Sequence, residues 1–151
     1  MARVQDVAAY ILRKAGPMTA MKLQKLCYYS YAYHLAWEGR QLFPERFQAW
    51  ANGPVAPALY KHHRGSYQLK RGDIPGRPEA LAKNERESVD LVLDGYDGFS
   101  AHQLSELTHK EPPWLNARMR AGVGPLERST ERIRDAEIAE FFDSLAVADA
   151  E

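Results

Sequence analysis

The sequence predicts a mainly α-helical domain: a compact multi-helix fold around one central apolar helix at about residues 19–38, with one small β element. Three features carry this. The stretch from Thr19 to Glu38 is apolar around most of its circumference, as suits a helix surrounded by other elements. Several shorter segments repeat apolar residues at three-and-four spacing. Only Arg46 to Ala51 alternates with a period of two.

Taken in order, Val4, Val7, Ala8, Ile11 and Leu12 form the stripe of a first helix, ended by Gly16-Pro17. Thr19 is placed to cap the central helix, because its hydroxyl can accept an unpaired first-turn amide. Met18 and Leu23 fit a hydrophobic staple there, and Gly39 can close the other end in a left-handed conformation. Leu23, Leu26, Cys27, Ser30, His34 and Trp37 share one face. At about 1.5 Å per residue this helix spans roughly 30 Å, the width of a small domain.

Phe47, Ala49 and Ala51 alternate with Gln48 and Trp50 as a strand, and Asn52-Gly53-Pro54 signals a turn in which Pro54 ends the pairing. Pro57 suits the first turn of a short helix over 58–64, closed by Gly65. Residues 65–78 read as a surface loop, with a short strand near Ile74 pairing with the strand at 46–51. Asn84 and Glu87 form a capping-box pattern ahead of Val89, Val92, Leu93 and Tyr96. Ser100 with Gln103 repeats the box and Phe99 with Leu104 the staple, so another helix starts there. Glu111 before Pro112-Pro113 must stop it, since a residue preceding proline is driven out of the helical region. Trp114 to Arg120 forms a further short turn of helix before the loop at Gly122 and Gly124-Pro125. Asp135 is placed to cap a last helix whose inward residues are Ile138, Phe141, Phe142 and Leu145.

The 151 residues suit a single domain, with a core over about 4–145 and a fraying tail at 146–151. Basic and acidic residues number 20 each, and a net charge of zero weighs against sequence-independent binding of nucleic acid. The single cysteine excludes an intrachain disulfide and is compatible with a reducing compartment. With no charged-then-apolar leader and no uninterrupted apolar run of membrane length, the expectation is a cytoplasmic protein with no membrane partner.

Catalytic chemistry finds little to work with. Cys27 and His34 share a helical face seven residues apart, but their backbones then differ by roughly 10 Å along the axis. A nucleophile and its base must approach to about 3 Å. The five histidines come without metal-ligand spacing, and no phosphate-binding glycine motif occurs. No catalytic, cofactor or metal residue is assigned. Lys22 and Lys25 put positive charge near the start of the central helix, where it opposes the helix dipole. They are either solvated, or paired with an acid such as Glu111, or, for Lys25, in contact with an acidic partner. The residues alone leave these open. Thr108 to Trp114 holds His109, Glu111 and Trp114; it reads as a rigid corner wedging Trp114 against the core, or as an aromatic anchor for an interface. An enzyme using His109 and Glu111 is the remaining alternative.

Three blocks, KLQKLCYYSYAYHLAWEG at 22–39, AWANGPVAPALY at 49–60 and ELTHKEPPW at 106–114, resemble in order the signature blocks of the Panacea domain. This is the SocA-like, phage-associated-protein group of antitoxins, with patterns close to KLQKLLYY, AWxxGPVxPxLY and LTHxExPW. Cys27 stands where an aliphatic residue is common, and Pro112-Pro113 replaces a looser spacing. The resemblance implies a non-enzymatic antitoxin that binds and neutralises a protein toxin encoded nearby. A variation on this is an adaptor presenting the toxin to an AAA+ protease. The motif and partner-binding candidates it implies are Gln24, Lys25, Tyr28, Tyr29, Trp50, Gly53, Pro54, Tyr60, Thr108, His109, Glu111 and Trp114. The 65–78 loop and the exposed side of the 22–25 region are the expected interface.

Overall fold

A computed structural model describes the backbone of residues 1–150 and the side chains of residues 1–145. The tail expected to fray at 146–151 has its side chains, and Glu151 altogether, outside the described residues. Helix α1 is Val4–Ala15, α2 Ala20–Glu38, α3 Pro57–His63, α4 Lys83–Tyr96, α5 Ala101–His109, α6 Pro112–Ala121 and α7 Asp135–Ala150. Strands β1 (Met18–Thr19) and β4 (Gln68–Leu69) form one two-stranded sheet, and β2 (Gln48–Trp50) and β3 (Gly53–Val55) another. Among the described residues no helix is long and apolar enough to cross a membrane.

The central post is α2, packed against α1, α4, α5 and α7. Thr19 Oγ1 accepts the Lys22 amide at 3.1 Å, and Gly39, at φ +68°, sends its N–H to Leu35 O, so both ends close as the sequence predicts. Leu23, Leu26, Cys27, Tyr28, Tyr29 and Ala32 are wholly buried. Tyr28 meets Phe47 and Phe142 edge-on, with ring centroids 5.3 and 6.1 Å apart. Tyr29 stacks on Tyr96 at 4.5 Å. Offset and edge-on pairs of this kind add to the area term that large aromatics contribute to a core.

Several expectations need correction. The strand at 46–51 pairs not with Ile74 but with β3, in the register Trp50↔Gly53, Ala49↔Pro54 and Gln48↔Val55. Pro54 therefore lies within the ladder and does not end it. An antiparallel pair alternates hydrogen-bonded and open positions, and next to a two-residue turn the Ala49↔Pro54 position is open, so the missing N–H costs nothing. The Ala49 amide turns the other way, to Glu131 O at 2.8 Å. The 65–78 loop is pinned as well as exposed. Leu69 pairs with Met18 in β4, Ile74 is buried, and the Arg77 amide reaches Asp6 Oδ1 at 2.8 Å.

The box opening α4 is shifted by two residues: Glu85 Oε1 accepts the Ala82 amide at 2.7 Å, while Asn84 donates to Glu38. The box at Ser100 and Gln103 closes in both directions as predicted. The doubled proline not only stops α5 but starts α6, since proline suits a first helical turn whose amides lack partners. Asp135 opens α7, yet its carboxylate is not a cap. It accepts from Tyr31 Oη at 2.7 Å, from Gln41 Nε2 at 2.9 Å and from Arg46.

Candidate functional site

The three sequence blocks converge on the β2–β3 hairpin. From α2, the Gln24 carboxamide meets the Ala56 peptide with both its atoms: Oε1 accepts Ala56 N–H at 2.9 Å and Nε2 donates to Ala56 O at 3.3 Å. Nε2 also lies 2.9 Å from His63 Nε2. Gln24 is fully buried, so its amide completes a strand end that water cannot reach.

From α5 and α6, four side chains take the four consecutive carbonyls of the turn. Arg118 Nη1 donates to Ala49 O at 3.0 Å, Trp114 Nε1 to Trp50 O at 2.9 Å, and Ser105 Oγ to Asn52 O at 2.6 Å. His109 Nε2 lies 2.9 Å from Ala51 O and is therefore the protonated ring nitrogen. Arg118 also holds the following loop through Gly124 O and Glu127 O, each at 2.7 Å. His109 packs edge-on against Trp114, with ring centres 4.2 Å apart. The corner expected at 108–114 is thus a clamp on the hairpin.

Beneath the turn lies an ionisable interior. Lys25 is fully buried, and its ammonium nitrogen has no hydrogen-bond partner among the described residues. Burial pulls its pKa down to about 7. None of the three expected roles of Lys25 holds: it is not solvated, it is not paired with Glu111, and its side chain has no surface to offer a partner. Lys22, by contrast, reaches Asp97 through O at 2.6 Å and Oδ1 at 3.3 Å. Glu111 is held by Tyr29 Oη, 3.0 and 3.1 Å from its two oxygens, and burial pushes its carboxyl up to about 7 against the lowering effect of that hydrogen bond. Burial, and then the charge of Glu111, keeps both the Tyr28 and Tyr29 phenols well above their ordinary value.

The twelve residues singled out by sequence therefore fall into two layers. Gln24, Lys25, Tyr28, Tyr29, Gly53, Pro54, Thr108, Glu111 and Trp114 are buried. Trp50, Tyr60 and His109 are half-buried, and Trp50 and Tyr60 pack edge-on at 5.1 Å. The surface above them is shared between motif residues, Trp50, His109 and Trp114 among them, and residues outside the motifs. The Ala51-Asn52 turn lines two hollows, one of about 350 Å³ with Met21, Arg128 and Thr130, and one of about 530 Å³ with Leu115, Met119 and Leu126. Arg118 and Ser105 escaped sequence reading. The one signal for Arg118 was its position a helical turn after Trp114, beside Ala117, on what becomes the inward face of α6.

The chemistry open to this arrangement is narrow. Cys27 is sealed, and burial pushes its thiol up, away from the reactive thiolate. His34 Nδ1 is 2.8 Å from Ser88 Oγ, on another side of α2. Among the described residues no group of three or more His, Cys, Asp or Glu could hold a metal ion.

What the fold and site define is a small helical domain whose motif polar residues face inward, to stiffen one hairpin at its surface. The chain belongs to the family described as antitoxin SocA-like, Panacea domain, whose model matches residues 23–115. It is also similar to Antitoxin SocA of Caulobacter vibrioides (strain NA1000 / CB15N), 39% identical over 124 residues, which cover 72% of this chain and 66% of that protein. The match thus spans just under two-thirds of the relative's length. No solved structure gives a significant match.

Proposed function

We propose that this chain is an antitoxin that neutralises a protein toxin by direct, stoichiometric binding and makes or breaks no bonds itself. The observation that carries this reading is the membership of the antitoxin family together with the 39% identity to Antitoxin SocA. The geometry is consistent with it. The groups that could serve catalysis are otherwise engaged or sealed: half-buried His109 on a carbonyl, buried Glu111 on a phenol, Cys27 under the core. A clamped hairpin beside apolar hollows is the kind of preorganised surface that lowers the entropic cost of association. We place the toxin among proteins encoded beside this chain, and the encounter in the cytoplasm.

The test is growth. Each flanking gene is induced alone and then together with this chain. One of them arrests growth alone and is rescued by co-expression if the reading holds; no arrest relieved by this chain contradicts it. Following the half-life of the rescued partner separates plain binding from delivery to an AAA+ protease, which shortens it.

A further inference from the structure

We infer that the toxin docks into the hollow between the Ala51-Asn52 turn and α6, and that its contacting surface is apolar with carboxylates at the edge. The inference rests on the antitoxin reading and names the face and the partner chemistry that the reading leaves open.

The hollow holds about 530 Å³, and its rim carries apolar side chains left exposed among the described residues. Met119 is 76% exposed and Leu126 88%, with Leu115 beside them at 38%. Apolar side chains gathered at one concave place mark an interaction surface in a way that scattered ones do not. The wall is rigid. Arg118 ties the 124–127 loop and the hairpin to the same helix, and Trp114 and His109 hold the turn's carbonyls.

Charge decides the partner's chemistry. Lys110, next to His109, and Arg128, in the neighbouring hollow that shares the turn, are exposed and have no ion pair among the described residues. Of the nearby carboxylates, Glu131 pairs with Arg120, while Glu127, whose Oε1 accepts the Gly124 amide at 2.7 Å, and Glu106, beside His102, keep their charge. An apolar hollow with two unpaired cations on the segments that adjoin it, Lys110 after His109 and Arg128 two residues beyond Leu126, complements a surface of apolar anchors and carboxylates. The other large apolar hollow, of about 510 Å³ around Tyr33, Trp37, Leu91 and Phe99, has no charged side chain in its lining. There Glu87, paired with Lys83, and Asp94 flank Leu91 on the exposed stripe of α4, which makes Leu91 an internal control.

The experiment titrates this chain into the purified product of the flanking gene that arrests growth, in a catalytically inactive form, by calorimetry at low and moderate salt. Met119→Glu combined with Leu126→Glu is expected to weaken binding by about tenfold or more, the mark of central apolar anchors. Lys110→Glu combined with Arg128→Glu is expected to weaken it several-fold and to flatten the salt dependence. Leu91→Glu is expected to leave it unchanged. All of these side chains are exposed, so the melting temperature reports separately on folding. Wild-type binding that survives both pairs, or is lost with Leu91→Glu alone, overturns the docking face and leaves the antitoxin reading standing. So does a chain that is dimeric in solution and becomes monomeric on Met119→Glu with Leu126→Glu, because a second copy then occupies the hollow. Failure of the wild-type chain to bind either flanking product overturns the antitoxin reading and this face with it.

Discussion

Gly53 leaves the space that the buried Lys25 side chain occupies: a Cβ on Gly53 would stand 2.6 Å from Lys25 Cε and 2.9 Å from Thr108 Oγ1. Gly53 is also at φ +117°, a conformation other residues rarely adopt. Both reasons act in Gly53→Ala, one as overpacking and one as backbone strain. The substitution is expected to cost about 2–4 kcal/mol. Urea unfolding should show it as a lowered midpoint with an unchanged slope.

The two buried ionisable groups, Glu111 and Lys25, predict an unusual pH dependence. Glu111, held at about 7 against 4.5, keeps its proton longer in the folded chain. Its favourable share is full below 4.5 and is lost as pH rises towards 7. Lys25, at about 7 against 10.5, is held neutral by folding. Its favourable share is full above 10.5 and is lost as pH falls towards 7. Together the two contributions dip near neutrality. Urea midpoints at about pH 5, 7 and 10 should show Lys25→Met ahead of wild type at 7 and below, with the lead shrinking towards 10. Glu111→Gln should lead at 7 and above, with the lead shrinking towards 5. Leads that do not change with pH would show that neither group titrates abnormally.

The clamp predicts a graded loss of stability. Trp114→Phe keeps most of the packing but leaves Trp50 O without its donor, for about 1–3 kcal/mol. His109→Ala removes the partner of Ala51 O and the ring contact with Trp114, with a loss of similar size. Arg118→Met strips carbonyls on two segments at once and is expected to cost most, about 3–5 kcal/mol. Thermal melts by circular dichroism should place Arg118→Met below the other two, at roughly 2–4 °C per kcal/mol for a chain of this size.

Asp135 predicts an acid-side loss. Burial works to raise its pKa, but hydrogen bonds from Gln41, Tyr31 and Arg46 outweigh that and hold the carboxyl below its ordinary value. Its contribution is therefore full at neutral pH and fades as pH falls through the carboxylate range. Asp135→Asn should destabilise at pH 7 and approach wild type on acidification. A gap that widens on acidification would contradict the assignment.

How far the sequence could be read depended on the range of the interaction. The central helix, its Thr19 cap, the Ser100–Gln103 box and the mainly helical fold follow from neighbours within four residues, and all appear in the structure. The Ile74 pairing failed because β-partner choice is non-local, and nothing in a single strand's alternation says which segment completes it. Lys25 was misplaced for a related reason. A lysine in a helix's first two turns is normally solvated, and here segments distant in sequence, Gly53 among them, close over it. The twelve residues singled out do gather around one hairpin, but the donors Ser105 and Arg118 that complete the clamp belong to no motif. Asp135 looked like a cap because it opens a helix, whereas tertiary partners from α2 and the segment after it claim the carboxylate.

The most direct test titrates this chain against the activity of the toxic flanking product and then weighs the recovered toxin by intact-mass spectrometry. Inhibition that is complete at one chain per toxin, with the toxin's mass unchanged and its activity restored on separation, is the predicted result. Inhibition by far less than one equivalent, with a lasting change in the toxin's mass, would contradict a protein that acts by holding its partner.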